Sequence, residues 1–390
     1  MADTHKTSCI VLIVDRLGAG FLGPYGNTWV ETPALNWLAS RAEVVERCVA
    51  DSVELNLACD ALWSGRRWET QSAPPRLADF LQPFASSCLV TDEPQLLVHP
   101  LAKSFQELVH FPIERPAGGA SHLDETQTAK LLYVATEWIQ SRENDGPFCL
   151  WVHASAMNHY WDAPAETRNQ FADEDDPLPP DFTEAPHTTL PADADPDVLL
   201  GFVHAYAGEV SAFDHARGNL LSDLDQLIQL DETVVALSSP RGYPLGEHGQ
   251  VGGACLHSEG TQVPLILMPT KPDCTYRSPS FHQPCDLIDK LSAALQIELG
   301  QPVDPVHDRA LSLGSESSAF HTPVWSIIED DRSTRLYAKP DDRWDFNDVA
   351  EVCPDVVEQL ARLRENFIAV RRDPSQELLP LPIELSERWE

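Results

Sequence analysis

Asp15 is the first residue along the chain placed to do chemistry. It closes the apolar run Ile10 to Val14 and opens a turn containing Gly18 and Gly20. A continuous Val/Ile/Leu run has no polar face and reads as a central strand covered on both sides. An acidic residue at the end of such a strand sits where open α/β sheets place ligands and reactive groups. An aspartate there can equally cap the turn that follows, and the stretch alone leaves both roles open. Downstream, Cys59 with Asp60 and His159 ahead of Tyr160 and Trp161 offer a nucleophile and acid–base groups suited to a hydrolase. A lone cysteine among small apolar residues also serves as core packing, and a histidine before two aromatic residues also serves a structural role. His248 reads as a turn residue, with Gly249 supplying the bend.

The elements that must hold these groups follow from patterning. Thr32 as N-cap with Pro33 at the first helical position starts a helix whose apolar face carries Leu35, Leu38 and Ala39. Val44 to Asn56 reads as a loop that enters a short helix ending at Gly65. Strands are expected at 88–92 and 148–153, and an amphipathic helix between them at 126–140. Phe171 to Pro196 is rich in Pro and Asp and reads as a long surface excursion. Apolar residues from Phe202 to Leu230 recur near helical spacing. Two further strands are expected at 233–237 and 263–268, and a helix runs through Leu287, Ile288, Leu291 and Leu295. Strands alternating with helices predict an α/β domain over 1–305, a large mostly parallel sheet sandwiched by helices. A small C-terminal α+β subdomain is expected over 306–390. Its strand falls at Leu336 to Lys339, and Pro354 opens a helix that turns Val356, Val357, Leu360, Leu363 and Phe367 inward.

Composition narrows the function. The formal charge of −34 excludes nucleic acid as a partner, because phosphate contacts need Lys and Arg. It also repels anionic ligands unless cations are gathered locally. Apolar runs reach only six to eight residues, too short to span a membrane. The stretch before the first strand has no basic or extended apolar region, so no signal peptide is expected and a cytoplasmic setting follows. The nine cysteines form no CxxC pair, which suits buried thiols rather than disulfides or a zinc cluster. The identity of any protein partner is left open.

Four stretches resemble the sulfatases of the alkaline-phosphatase-like superfamily. They are VDRLGAGFLGPYGNTWVETPALNWLAS from Val14, the Ser64–Arg66 ending of a helix, LSSPRGYPLGEHG from Leu237, and SEGTQVPLILMP from Ser258. Weaker likeness continues through YAGEVSAFDHARGNLLSDLD and the C-terminal LYAKPDDRWDFNDVAEVCPDVVEQL. The resemblance implies that fold and a pocket in which calcium, held by oxygen donors, polarises a sulfate ester while a formylglycine made from cysteine attacks it. Matched position by position, much of that equipment is absent. Asp15 is the one metal-ligand position retained, and Arg16 stands at the second aspartate. The formylglycine cysteine falls at Leu55 and its motif arginine at Cys59, where the cysteine lacks the required Pro and Arg. The downstream ligand pair falls on Pro240 and Arg241, and a lysine on Gly253. Thr91 to Pro94 is nearest to the family's Gly-Lys-Trp-His-Leu-Gly motif. The Pro-His-x-Pro histidine falls on Asn158, beside His159, with Trp161 to Pro164 continuing the match.

These departures predict no cofactor, with calcium the one the family leads one to expect. They also predict that Asp15 pairs with Arg16 or Arg241 in place of a metal, because a buried carboxylate left alone is costly. Three functions stay open. One is a pseudo-sulfatase whose arginine-lined pocket holds a small anion or a sulfated ligand. The second is a sulfate- or phosphate-ester hydrolase working without formylglycine, through Asp15, Cys59, Asp60 or His159. The third is a purely structural subunit partnering an active relative.

Overall fold

A computed structural model describes residues 7–65, 76–142, 146–181, 183–191, 193–228, 230–271, 275–299, 307–373 and 375–387. Eight strands form the main sheet: β1 (Ser8–Val14), β2 (Glu43–Cys48), β3 (Ser86–Thr91), β4 (Glu107–His110), β5 (Phe148–Ala154), β7 (Thr233–Ser238), β9 (Leu265–Met268) and β10 (Tyr276–His282). A two-stranded ribbon pairs β6 (Thr188–Thr189) with β8 (Gln250–Val251). The main-sheet order is β10-β2-β9-β7-β1-β5-β3-β4. Its pairings are parallel except at β9, which runs antiparallel to both β2 and β7.

β1 lies between β7 and β5, and its alternate residues enter two separate cores. Ile10, Leu12 and Val14 pack against the long helix Pro196–Leu227 and the helix Gln127–Ser141. Cys9, Val11 and Ile13 pack against the helices Leu55–Ser64 and Leu287–Leu295. Helices on both faces explain why the strand needs no polar residue before Asp15. β7, β1, β5 and β3 lie side by side and run parallel, so their C-terminal ends open along one edge. That edge positions the site.

β11 (Ala310–Leu313), β12 (Ser318–His321), β13 (Trp325–Glu329) and β14 (Thr334–Ala338) make a four-stranded antiparallel sheet. The helix Pro354–Arg372 buries Leu360, Leu363 and Phe367 against it. This is the small α+β unit expected at the C-terminus, and the boundary assigned at 305/306 lies outside the described residues. Arg66 and Cys274 lie outside them too. One segment departs from the sequence reading. Val44 to Asn56 is not simply a loop, since Glu43–Cys48 is a strand gripped by β10 on one side and β9 on the other. Its Glu43, Glu46 and Arg47 masked the apolar alternation. No helix among the described residues is long and apolar enough to cross a membrane.

Candidate functional site

The Asp15 carboxylate sits at the C-terminal end of β1, 1% exposed, with its backbone N–H donating to the Ala154 carbonyl at 2.9 Å. Arg241 reaches it from the loop after β7. Its Nε donates to Oδ1 at 2.9 Å and its Nη2 to Oδ2 at 2.8 Å, a two-pronged guanidinium–carboxylate pair. Nη1 donates to the Val53 carbonyl at 3.1 Å. Burial alone would raise the Asp15 carboxyl, but the charge and hydrogen bonds of Arg241 hold it below the usual carboxylate range. Burial would likewise lower the Arg241 guanidinium, and Asp15 keeps it raised. Of the two arginines expected to satisfy Asp15, the one bonded to it is Arg241. Next to it, Gly242 is required by space, because a Cβ there would overlap the Glu259 carbonyl.

Arg16 bonds other partners, and only its charge acts on the carboxylate. Its backbone is left-handed, with φ at 68°, which a side chain rarely adopts without compensation. Tyr206 compensates by bridging the turn: its hydroxyl donates to the Arg16 carbonyl at 2.6 Å and accepts from the Gly18 N–H at 2.9 Å. The guanidinium Nη1 donates to the Gly242 and Gly253 carbonyls at 3.0 and 2.6 Å, and Nε to Asn158 Oδ1 at 3.4 Å. Burial, then the neighbouring Arg241, lowers it to about 10. Asn158 Oδ1 also accepts from Arg241 Nη2 at 3.4 Å, so this amide joins the two guanidiniums. Two arginines against one carboxylate leave this cluster with one net positive charge.

A second polar cluster lies at the ends of β3 and β5. Asp92 accepts from the Ser155 N–H at 2.7 Å and from Ser155 Oγ at 2.9 Å, and burial nonetheless pushes its carboxyl up to about 6. Glu93 Oε2 pairs with His159 Nε2 at 3.0 Å. That hydrogen bond raises His159, and against burial it holds Glu93 down. His153, fully buried on β5, makes no hydrogen bond through either ring nitrogen, and burial lowers it to about 4.

The remaining residues marked in the sequence fall as follows. Leu55 is the first residue of the helix Leu55–Ser64, buried, two positions beyond the carbonyl that Arg241 holds. Cys59, one turn further, is 0% exposed, and burial together with the Asp15 charge pushes its thiol well up, so it carries no ready thiolate. Asp60 is exposed and pairs with His99 Nε2 at 2.9 Å, apart from the Asp15 cluster. His248 Nε2 bonds the Trp344 carbonyl at 3.0 Å and its ring stacks on His257, while Gly249 bends the backbone at φ 73°. Ser155, His153 and Tyr206 were not singled out from the sequence. The signal available for Ser155 and His153 was the pair of strands ending in polar residues, 88–92 and 148–153.

Calcium would need several hard oxygen donors. Here both Asp15 oxygens take N–H groups of Arg241, and the other positions that correspond to ligands present guanidinium groups or proline. The donor set does not fit the ion.

A family model described as Sulfatase matches residues 67–296, more than half of the chain. Among curated proteins, human iduronate 2-sulfatase is 40% identical over 63 residues, and an N-acetylglucosamine-6-O-sulfatase of Bacteroides thetaiotaomicron is 33% identical over 66. Those alignments cover 16% and 17% of this chain, and the chain spans 12% of each relative's length. The phosphonate monoester hydrolase of Agrobacterium radiobacter superposes with a TM-score of 0.74 at 15% identity, covering 94% of this chain and 95% of that one. A protein solved with its substrate D-glucosamine-2-N,6-O-disulfate superposes at 0.76 with 13% identity, covering 95% and 99%. At such identities the superpositions establish the fold.

Proposed function

The chain belongs to the sulfatase family, and we propose that it is a catalytically deficient member, whose pocket holds a small anion or sulfated ligand rather than hydrolysing it. The observation that carries this reading is the Asp15–Arg241 pair, in which a guanidinium takes up the one matched ligand carboxylate. A sulfatase needs a cation to stabilise charge growing on the sulfate and a nucleophile to attack it. Arg241 is consumed by Asp15, and Leu55 offers no nucleophile. What is left is a fixed positive charge. Arg16 Nη2 makes no hydrogen bond among the described residues, so it is the donor to which an oxyanion would attach. Cys9, Cys59, Cys88, Cys149 and Cys255 are buried thiols, which supports the cytoplasmic reading.

A second reading, an ester hydrolase working without formylglycine, is favoured by the Glu93–His159 pair and the raised Asp92, which together supply acid–base groups beside the pocket. Metal analysis combined with a panel of aryl sulfate and phosphate esters decides between them. The deficient reading expects substoichiometric calcium, no turnover on any ester, and a Tm that rises with sulfate or sulfated sugars. Stoichiometric calcium, or turnover abolished by His159→Gln, would overturn it.

A further inference from the structure

At the opposite edge of the sheet, four strands from β1 and so roughly 20 Å away, His282, Asp286 and His307 converge. His282 ends the edge strand β10, Asp286 opens the helix that follows, and His307 leads into β11. One ligand atom from each lies within 4.8 Å of the others. We infer that these three side chains form a binding site for a divalent transition metal of the zinc type, one that fastens the entry to the C-terminal sheet onto the edge of the main sheet.

The orientation of the rings carries the argument. His282 is 6% exposed, and its buried Nδ1 has no hydrogen-bond partner although it stands 3.5 Å from Asp286 Oδ2. Its other nitrogen, Nε2, lies 3.5 Å from Ser278 Oγ. With the proton on Nε2, the Nδ1 lone pair faces a carboxylate oxygen across this gap, a contact that a bound cation makes attractive. The gap is close to the roughly 3.3–3.4 Å that separates two ligands on a tetrahedral zinc with bonds of about 2.0–2.1 Å. His307 Nδ1 is 2.8 Å from the Phe281 carbonyl, so it carries the proton and Nε2 is left as a ligand, the backbone-fixed tautomer typical of metal-bound imidazole. The two rings lie 4.2 Å apart. Asp286 Oδ2 also accepts the Gln283 N–H at 2.9 Å, which fixes the carboxylate. Lys290, one turn along the helix, is engaged by Glu43 at 2.7 Å and does not serve as the missing cation. Two imidazoles and a carboxylate suit zinc and its neighbours rather than calcium.

The test uses the full chain, stripped with a chelator and titrated with Zn2+ near 0.15 M salt, where loose binding to the acidic surface is screened. The expected result is one equivalent bound, with a rise in Tm, and at least a tenfold loss of affinity in His282→Gln, His307→Gln and Asp286→Asn. Far-UV circular dichroism checks that each variant folds. Cobalt loading of the unaltered protein gives a readout free of variants, an intense visible band of low-coordinate cobalt. Absence of a stoichiometric site, an undiminished site in folded His282→Gln/His307→Gln, or the pale spectrum of hydrated cobalt would each overturn the proposal.

Discussion

Replacing Arg241 by alanine removes both N–H donors from a carboxylate that is 1% exposed. Arg16 is held elsewhere, through its Nη1 to the Gly242 and Gly253 carbonyls and through its Nε to Asn158, and helps Asp15 by its charge alone. Leaving one member of a buried pair uncompensated costs about 3–5 kcal/mol. With an unfolding entropy of about 2.1 cal/mol/K per residue, the 390 residues convert that to a fall in Tm of roughly 4–6 °C. The pH dependence has a definite sign. In the parent, Asp15 is depressed, so its stabilisation is present above the unfolded carboxylate value near 3.9 and is lost as pH falls through the lower folded value. In Arg241→Ala, burial, the largest influence on Asp15, is opposed only by the smaller pulls of Arg16 and His153 and should raise the carboxyl, so the variant is penalised when the carboxylate is charged and recovers as pH falls. The difference between the two proteins is therefore largest near neutrality and shrinks below about pH 5. Urea denaturation at several pH values, combined with Asp15→Ala and the double variant, measures it. The double variant should recover about 2–3 kcal/mol relative to the sum of the singles. A loss below about 1 kcal/mol, the value of an exposed pair, with additive singles, would refute the claim that this pair replaces the ion.

Arg16→Asn keeps a residue that tolerates the left-handed backbone but removes the free donor; the Tm increase with sulfate should vanish while far-UV dichroism is unchanged. Asp92, raised to about 6, makes the parent lose stability as pH climbs from about 4 to 6. Asp92→Asn should remove that limb and be relatively stabilised above pH 6 by up to about 3 kcal/mol, measured by denaturation across pH. His153, lowered to about 4 with both nitrogens unpartnered, acts with the opposite sign. Stability falls as pH drops from about 6.5 towards 4, and His153→Leu should flatten that acid limb by up to about 3 kcal/mol.

Much of this was legible because the central strands are buried on both faces. The run from Ile10 to Val14 and the run from Phe148 to His153 have no solvent face to blur them, so the strand ends that carry Asp15 and His153 could be located. That Arg16 or Arg241 would pair with Asp15 followed from charge balance once family positions were matched, and the geometry of the loop after β7 selects Arg241. Edge elements were harder. β10 carries Pro279, exposed Tyr276 and a register shift between Ser278 and Phe281, so it lacks both alternation and a continuous apolar run. β2 hides its pairing behind Glu43 and Arg47. Tyr206 escaped notice for another reason. It lies on the apolar stripe of a 32-residue helix, and nothing local marks that its hydroxyl is used 190 positions away to hold the Arg16 turn.

A calcium ion leaves its site whenever the free ion is scarce or a chelator is present, and the site then collapses or reorganises. The guanidinium opposite Asp15 is tethered to the chain, so its effective concentration is fixed by the loop after β7 and not by the surroundings. On the proposed reading, the floor of this pocket is insulated from calcium supply, and its shape should be the same in a calcium-poor medium as in a calcium-rich one.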